Sequence, residues 1–231
     1  MRLLALPCAF AALLAPQAAH AQLPGVFESL FQQVNSIVFY TQVGAFTDNA
    51  EFEGDVGGFG VTGLGTELLL DLPSALDTDF ELGLGTSFVR GFDATEPTLD
   101  LRGSIRTLPQ ISVYASGFGD MERGALNPYL GISFGVADLW NARGYDEAGT
   151  IYRANAETFE LGLVGGLYVE ASALRGLYLE AGYKLRRFES LTWTGESLAD
   201  EGWTLPEGWP RAADASQAFV NVGWQFRLRS E

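Results

Sequence analysis

Along much of the chain, apolar and polar residues change places at every second position. Between residues 98 and 117 one row reads Leu99, Leu101, Gly103, Ile105, Thr107, Pro109, Ile111, Val113 and Ala115. The interleaved row reads Asp100, Arg102, Ser104, Arg106, Leu108, Gln110, Ser112, Tyr114 and Ser116. Successive side chains of a strand point to opposite faces, so this pattern predicts a strand with one apolar and one polar side. The pattern recurs at 126–138, 157–170, 176–188 and 216–228, where rows such as Leu130, Ile132, Phe134 and Val136 lie opposite Tyr129, Gly131, Ser133 and Gly135. Noisier strands are expected at about 36–47, 57–71 and 79–92, which brings the total to eight.

Pro109 tests this reading, because a closed sheet has no edge where a missing N–H is free. A turn at Thr107–Gln110 would raise the strand number to nine. Alternation that holds its register through Pro109, and the even strand number of bacterial barrels, favour one long, locally irregular strand. Connections then alternate in length. Pro73–Thr78, Gly119–Ala125 and Ala171–Arg175 lie at one end, and Asp48–Asp55, Asp93–Pro97, Asn141–Asn155 and the long Glu189–Ala215 at the other.

Alternation does not say which face points inward, so a soluble lipocalin-like barrel is the structural rival. The polar rows carry Gly83, Gly85, Gly131, Gly135, Gly162, Gly166, Gly182 and Gly223. So many glycines suit a cramped interior and have no use on a water-facing surface. The expected strands also reach the ~9–11 residues needed to cross a bilayer at a tilt. The expected architecture is therefore all-β: an eight-stranded, antiparallel, up-and-down transmembrane barrel over residues 36–231.

Residues 1–21 read as a secretory signal peptide, with Arg2 as the positive start, Leu3–Leu14 as the apolar stretch and Ala19-His20-Ala21 as the cleavage site. Pro7 and Pro16 interrupt the stretch, which is too short for a transmembrane helix. Residues 22–35, with Leu23, Val26, Phe27, Leu30, Phe31 and Val34 at helical spacing, form either a short amphipathic helix at the membrane interface or a periplasmic leader.

Cleavage changes the chemical inventory, because the only cysteine, Cys8, and the only histidine, His20, leave with the leader. No disulfide, no Cys or His metal site and no histidine base is then expected. Neither a catalytic residue nor a cofactor is assigned. With Arg2 gone, 13 basic side chains face 29 acidic ones, a balance that opposes nucleic-acid binding. Gly58-Phe-Gly60-Val-Thr-Gly63 matches a dinucleotide fingerprint but continues as a strand rather than opening a helix. Gly131-Ile-Ser133-Phe-Gly135 matches a nucleophile elbow, but Ser133 is expected mid-strand with no histidine in the mature chain.

With these features the chain resembles the small eight-stranded outer-membrane barrels of the OmpA and opacity-protein type over roughly residues 36–229. The last strand, Asn221-Val-Gly223-Trp-Gln-Phe226-Arg-Leu228, is similar to the insertion signal of barrel proteins, although Arg229-Ser230-Glu231 follows where a terminal phenylalanine is usual. The resemblance implies recognition by the barrel-assembly machinery, periplasmic chain termini and residence in the outer membrane of a Gram-negative bacterium. It supplies no ligand residue. The same lack of histidine separates the chain from outer-membrane phospholipases, lipid A deacylases and omptin proteases.

Two sets of residues are candidates for function. Glu81, Asp100, Arg102, Arg106, Glu160, Glu170, Glu180, Lys184, Arg186 and Arg227 fall on the polar rows, where they would form either a paired network filling the lumen or a narrow ion path. Near-balanced charge favours the filled lumen. In the loops, the acidic run Asp48, Glu51, Glu53 and Asp55 is a solvated face or a site for divalent cations that bridge lipopolysaccharide phosphates. Trp193, Trp203 and Trp209 are adhesive anchors or part of an aromatic belt. The expected function is a monomeric, non-enzymatic anchor whose acidic loops meet lipopolysaccharide, ions or a partner. A small gated pore or an apolar-molecule conduit of the OmpW type is the second reading, and a soluble periplasmic binder a distant third.

Overall fold

The computed structural model describes residues 33–46, 61–75, 78–96, 99–117, 126–146, 151–170, 174–194 and 211–228. The leader, most of the 22–35 segment, Asp48, Glu51, Glu53, Asp55, Trp203 and Trp209 lie outside them. Eleven strands are described: β1 (Val34–Phe46), β2 (Val61–Ala75), β3 (Thr78–Glu96), β4 (Leu99–Ser116), β5 (Leu126–Asp146), β6 (Ile151–Asn155), β7 (Glu157–Val169), β8 (Leu177–Phe188), β9 (Thr192–Thr194), β10 (Ala213–Asp214) and β11 (Gln217–Arg227).

Eight of them close a ring. Antiparallel pairing runs from β1 through β2, β3, β4, β5, β7, β8 and β11 and back to β1, where Ser36 pairs with Arg227 and Phe46 with Gln217. Closure removes the edges that an open sheet would expose. The remaining strands build outward from one end. There β3–β4 pairing continues to Glu96 and Leu99, β4–β5 pairing to Leu99 and Asp146, and β6 and β9 extend the sheet through Tyr145–Ile151 and Arg153–Thr194. Much of Asp93–Pro97 and Asn141–Asn155, expected as loops, is thus strand: each hairpin keeps its ladder past the barrel wall instead of leaving backbone groups unpaired.

Pro109 sits within one long strand, as expected, but not in unbroken register. Thr107 pairs with Ala137 and Gln110 with Gly135, so Leu108 and Pro109 together stand opposite one residue, Val136. This is a β-bulge, which releases the proline from donating to the ladder. Its extra residue also reverses the faces. Gln110, Ser112 and Tyr114 face the lumen above the bulge in sequence, whereas before it the inward residues are Ile105 and Thr107.

The apolar rows face outward. Leu126, Leu130, Ile132 and Phe134 on β5, Phe159, Leu161, Leu163 and Leu167 on β7, and Leu179 and Leu185 on β8 are all exposed, with Phe159 at 84%. From Leu126 to Val136 the outward row spans about 34 Å of strand at ~3.4 Å per residue. At a tilt of about 40° this gives a height of about 26 Å, close to the ~25 Å apolar band of membrane barrels. A soluble barrel would bury this row and wet the other; here the buried row holds Gln42, Glu67, Ser112, Ser133, Glu160, Glu180, Lys184 and Arg186.

Candidate functional site: the lumen

From the end that carries the chain termini inward, the lumen is built in tiers. At the rim Asn35 Nδ2 donates to Asp71, and Arg227 pairs with Glu170 at 3.2 Å. Further in lies a girdle of tyrosines. Tyr40, Tyr114, Tyr129 and Tyr178 each stand directly across the ladder from a glycine: Gly65, Gly131, Gly166 and Gly223, respectively. A Cβ added at any of the four would run into the facing ring, so the absent side chain is what lets each ring lie against the wall. Tyr114 and Tyr129 meet edge-to-face at 5.7 Å, and Tyr40 and Tyr178 at 6.5 Å.

The rings carry two carboxylates. Tyr114 donates to Glu67 at 2.7 Å; Tyr129 donates to Glu180 at 3.1 Å, and Asn221 Nδ2 donates to its other oxygen at 2.7 Å. Glu67 was not among the residues singled out from sequence. Its signal was present, because Leu64, Thr66, Leu68 and Leu70 alternate with Gly63, Gly65, Glu67 and Leu69, but leucines on both rows obscure the polar one.

Beyond the girdle the lumen closes. Glu160 lies between Lys184, at 2.9 Å, and Arg186, with side-chain exposures of 0%, 3% and 0%. Thr107 donates to Glu160 at 2.7 Å, Lys184 donates to Gln110 at 3.2 Å, and Arg186 Nη1 donates to Gln217 at 3.1 Å. One carboxylate thus answers two cations, and neutral amides and hydroxyls supply further partners to all three side chains. Past this layer lies an apolar cluster that includes Phe46, Val89, Ile105, Leu139, Tyr152, Phe188, Leu191 and Trp193.

A cavity of about 840 Å3 runs from the rim at Asp71, Glu81, Glu170 and Arg227, past the tyrosines, to Lys184 and Phe219. It ends there. Of the candidates from sequence, the fold brings Glu160, Lys184 and Arg186 together in the closing layer, places Glu180 at the girdle, and sets Glu81, Glu170 and Arg227 at the rim.

Others are placed elsewhere. Arg106 points outward: it pairs with Asp138 at 2.9 Å, its side chain is 39% exposed, and its guanidinium lies 4.3 Å from the ring centre of exposed Trp140. Arg102 is exposed on the extended part of β4, and Asp100 pairs there with Tyr145 beyond the barrel wall. The Leu108–Pro109 bulge is the reason, since it turns the row of Arg102, Ser104 and Arg106 away from the lumen. Trp193, expected at a surface, is 8% exposed within the apolar cluster. Of the last-strand signature, Asn221 faces the lumen, Gly223 receives Tyr178, Phe226 is exposed on the outer face beside Phe39 at 6.1 Å, and Leu228 is exposed. Alanine at Arg106 is expected to cost no more than about 1 kcal/mol, because the pair is exposed. Urea unfolding of the refolded barrel checks this, and a loss several times larger would contradict an outward Arg106.

No protein-family model matches the sequence, and no curated protein matches it significantly. Solved structures do. The chain is similar to Ail, the attachment invasion locus protein of Yersinia pestis, with 10% identity, a TM-score of 0.45, and coverage of 84% of this chain and 99% of that one. It is similar to the outer membrane protein AlkL, solved in DMPC lipid bilayers, with 11% identity, a TM-score of 0.45, and coverage of 86% and 93%. The outer membrane protein OprG from Pseudomonas aeruginosa gives 11% identity, a TM-score of 0.44, and coverage of 84% and 97%. At these identities and scores the likeness bears on nothing beyond chain fold, which the strand pairing already establishes.

Proposed function

We propose that the chain is a non-enzymatic, non-conducting barrel of the outer membrane, an anchor that holds an extended β-structure and acidic loops beyond the lipid. The outward apolar band supports the membrane, and the leader read at residues 1–21 supports export. The termini then lie at the periplasmic side, and the extension formed by β3, β4, β5, β6 and β9 faces outward from the cell. Surface contact with lipopolysaccharide, with divalent cations at the acidic loops or with a partner is the work such a display performs.

One observation favours the anchor over the pore. The Glu160–Lys184–Arg186 layer and the apolar cluster behind it lie where the cavity ends, so an ion entering from the terminal end meets two buried cations and then buried apolar side chains. Planar-bilayer recording of the refolded full chain is expected to give no discrete conductance steps. Arg102→Ala and Arg106→Ala, which alter side chains outside the lumen, are expected to leave that baseline unchanged. A reproducible open level in the unmodified barrel would replace the anchor by the pore.

A further inference from the structure

The tyrosine-lined cavity is not needed for anchoring, and its chemistry is lopsided. Its charged lining consists of Glu67, Asp71, Asp79, Glu81, Glu170 and Glu180 against Lys184 and Arg227. Both cations are already paired, Lys184 with Glu160 in the closing layer and Arg227 with Glu170 within the lining itself. The hydrogen-bond partners of Glu67 and Glu180 at the girdle are neutral. Glu67 and Asn221, each only 4% exposed, both line the cavity.

We propose that this cavity binds a linear polyamine that enters from the terminal end. A volume of about 840 Å3 falls within the range of small-molecule sites. Tyrosine rings held against the wall leave the axis open and present faces to a cation, while the carboxylates supply charge-assisted acceptors. The acids lie in two tiers. Glu67 and Asp71 are four residues apart on β2, about 13 Å along the strand at ~3.3 Å per residue. At a tilt of about 40° this becomes about 10 Å along the barrel axis. An extended chain with an ammonium group at each end spans that distance, with methylenes between the rings. A single compact metal ion would reach only one tier, and among the described residues no group of three or more acidic side chains is arranged to hold one.

The test is calorimetric titration of spermidine into the full chain refolded in a neutral maltoside detergent, with folding of every variant checked by its gel shift on boiling. Saturable one-to-one binding is expected. Glu67→Gln combined with Glu180→Gln should weaken it about ten-fold or more, as loss of charge-assisted contacts implies. Asp71→Asn combined with Glu81→Gln changes only the rim, serves if the inner pair fails to fold, and should weaken binding several-fold. Equal affinity in the carboxamide variants would assign the amine to the acidic loops and overturn the proposal. So would an absence of saturable binding, or displacement of spermidine by an equal concentration of Mg2+. The conductance experiment is independent of all of these, so a sealed barrel and an empty cavity remain distinguishable.

Discussion

Replacing Glu160 by alanine is expected to destabilise the barrel by about 3–5 kcal/mol, the range for breaking a buried ion pair by removing one partner. The size follows from the stoichiometry. Glu160 is the shared counter-ion of Lys184 and Arg186, and none of the three side chains has more than 3% exposure. Removing it leaves two cations in a layer sealed on one side by Phe46, Phe188 and the other members of the apolar cluster, so water cannot reach them from that end. Thr107, whose hydroxyl donates to Glu160, loses its acceptor as well. Glu160→Gln keeps the shape and the acceptor but not the charge, and a smaller loss is expected. The check is urea unfolding of the refolded protein, followed by tryptophan fluorescence and by heat modifiability on gels. If Glu160→Ala cost less than about 1 kcal/mol, the pair would have to behave like an exposed one, and the closed layer would be in error. Lys184→Met together with Glu160→Leu, which removes carboxylate and ammonium at once, should recover part of the stability lost by the single change, because an apolar pair carries no desolvation penalty.

The contrast between Glu160 and Arg106 shows how far the sequence could be read. Strands β7, β8 and β11 alternate without interruption, and Glu160, Glu180, Lys184 and Arg186 face the lumen as that alternation says. On β4 the same rule counts residues correctly but misses one inserted position. The bulge at Leu108–Pro109 leaves hydrophobicity continuous while the pleat changes sides, so Arg106 pairs with Asp138 on the outer face. A bulge is a matter of pairing between strands, and a single strand's pattern carries no trace of its partner's residue count. The proline was the available signal: in a closed sheet it had to sit where no ladder hydrogen bond is made. The strand extensions at 93–96, 141–146 and 151–155 were hidden for a related reason, since Asn141 and Gly144 read as loop chemistry while the hairpin ladder continues through them. The glycines of the polar rows were visible, but what three of them, Gly131, Gly166 and Gly223, are for was not, and Gly65 on the noisier β2 was not singled out. Seeing that they receive tyrosines needs the register that sets Tyr40 against Gly65 and Tyr178 against Gly223.

That register yields the second large effect, a difference between two glycines that look equivalent in sequence. Alanine at Gly223 is expected to cost about 1–3 kcal/mol, the range for forcing extra volume into a packed site, and alanine at Gly65 clearly less. At Gly223 an added Cβ would meet the backbone carbonyl oxygen of Phe39 at 2.5 Å as well as the Tyr178 ring, so relief requires the β1–β11 ladder to move. At Gly65 the nearest atoms all belong to the far end of the Tyr40 ring, which can swing off the wall into the cavity. The cost at Gly65 is therefore borne by free space, and it should appear as a smaller cavity rather than as a weaker barrel. Urea midpoints of the two variants measure the first difference. Spermidine titration measures the second, because a tyrosine displaced to the axis competes with any amine for the same volume. Equal destabilisation at both positions would mean that the Tyr40 ring is held as firmly as backbone. The girdle would then be a structural brace, and the open axis between its rings would be incidental to their packing.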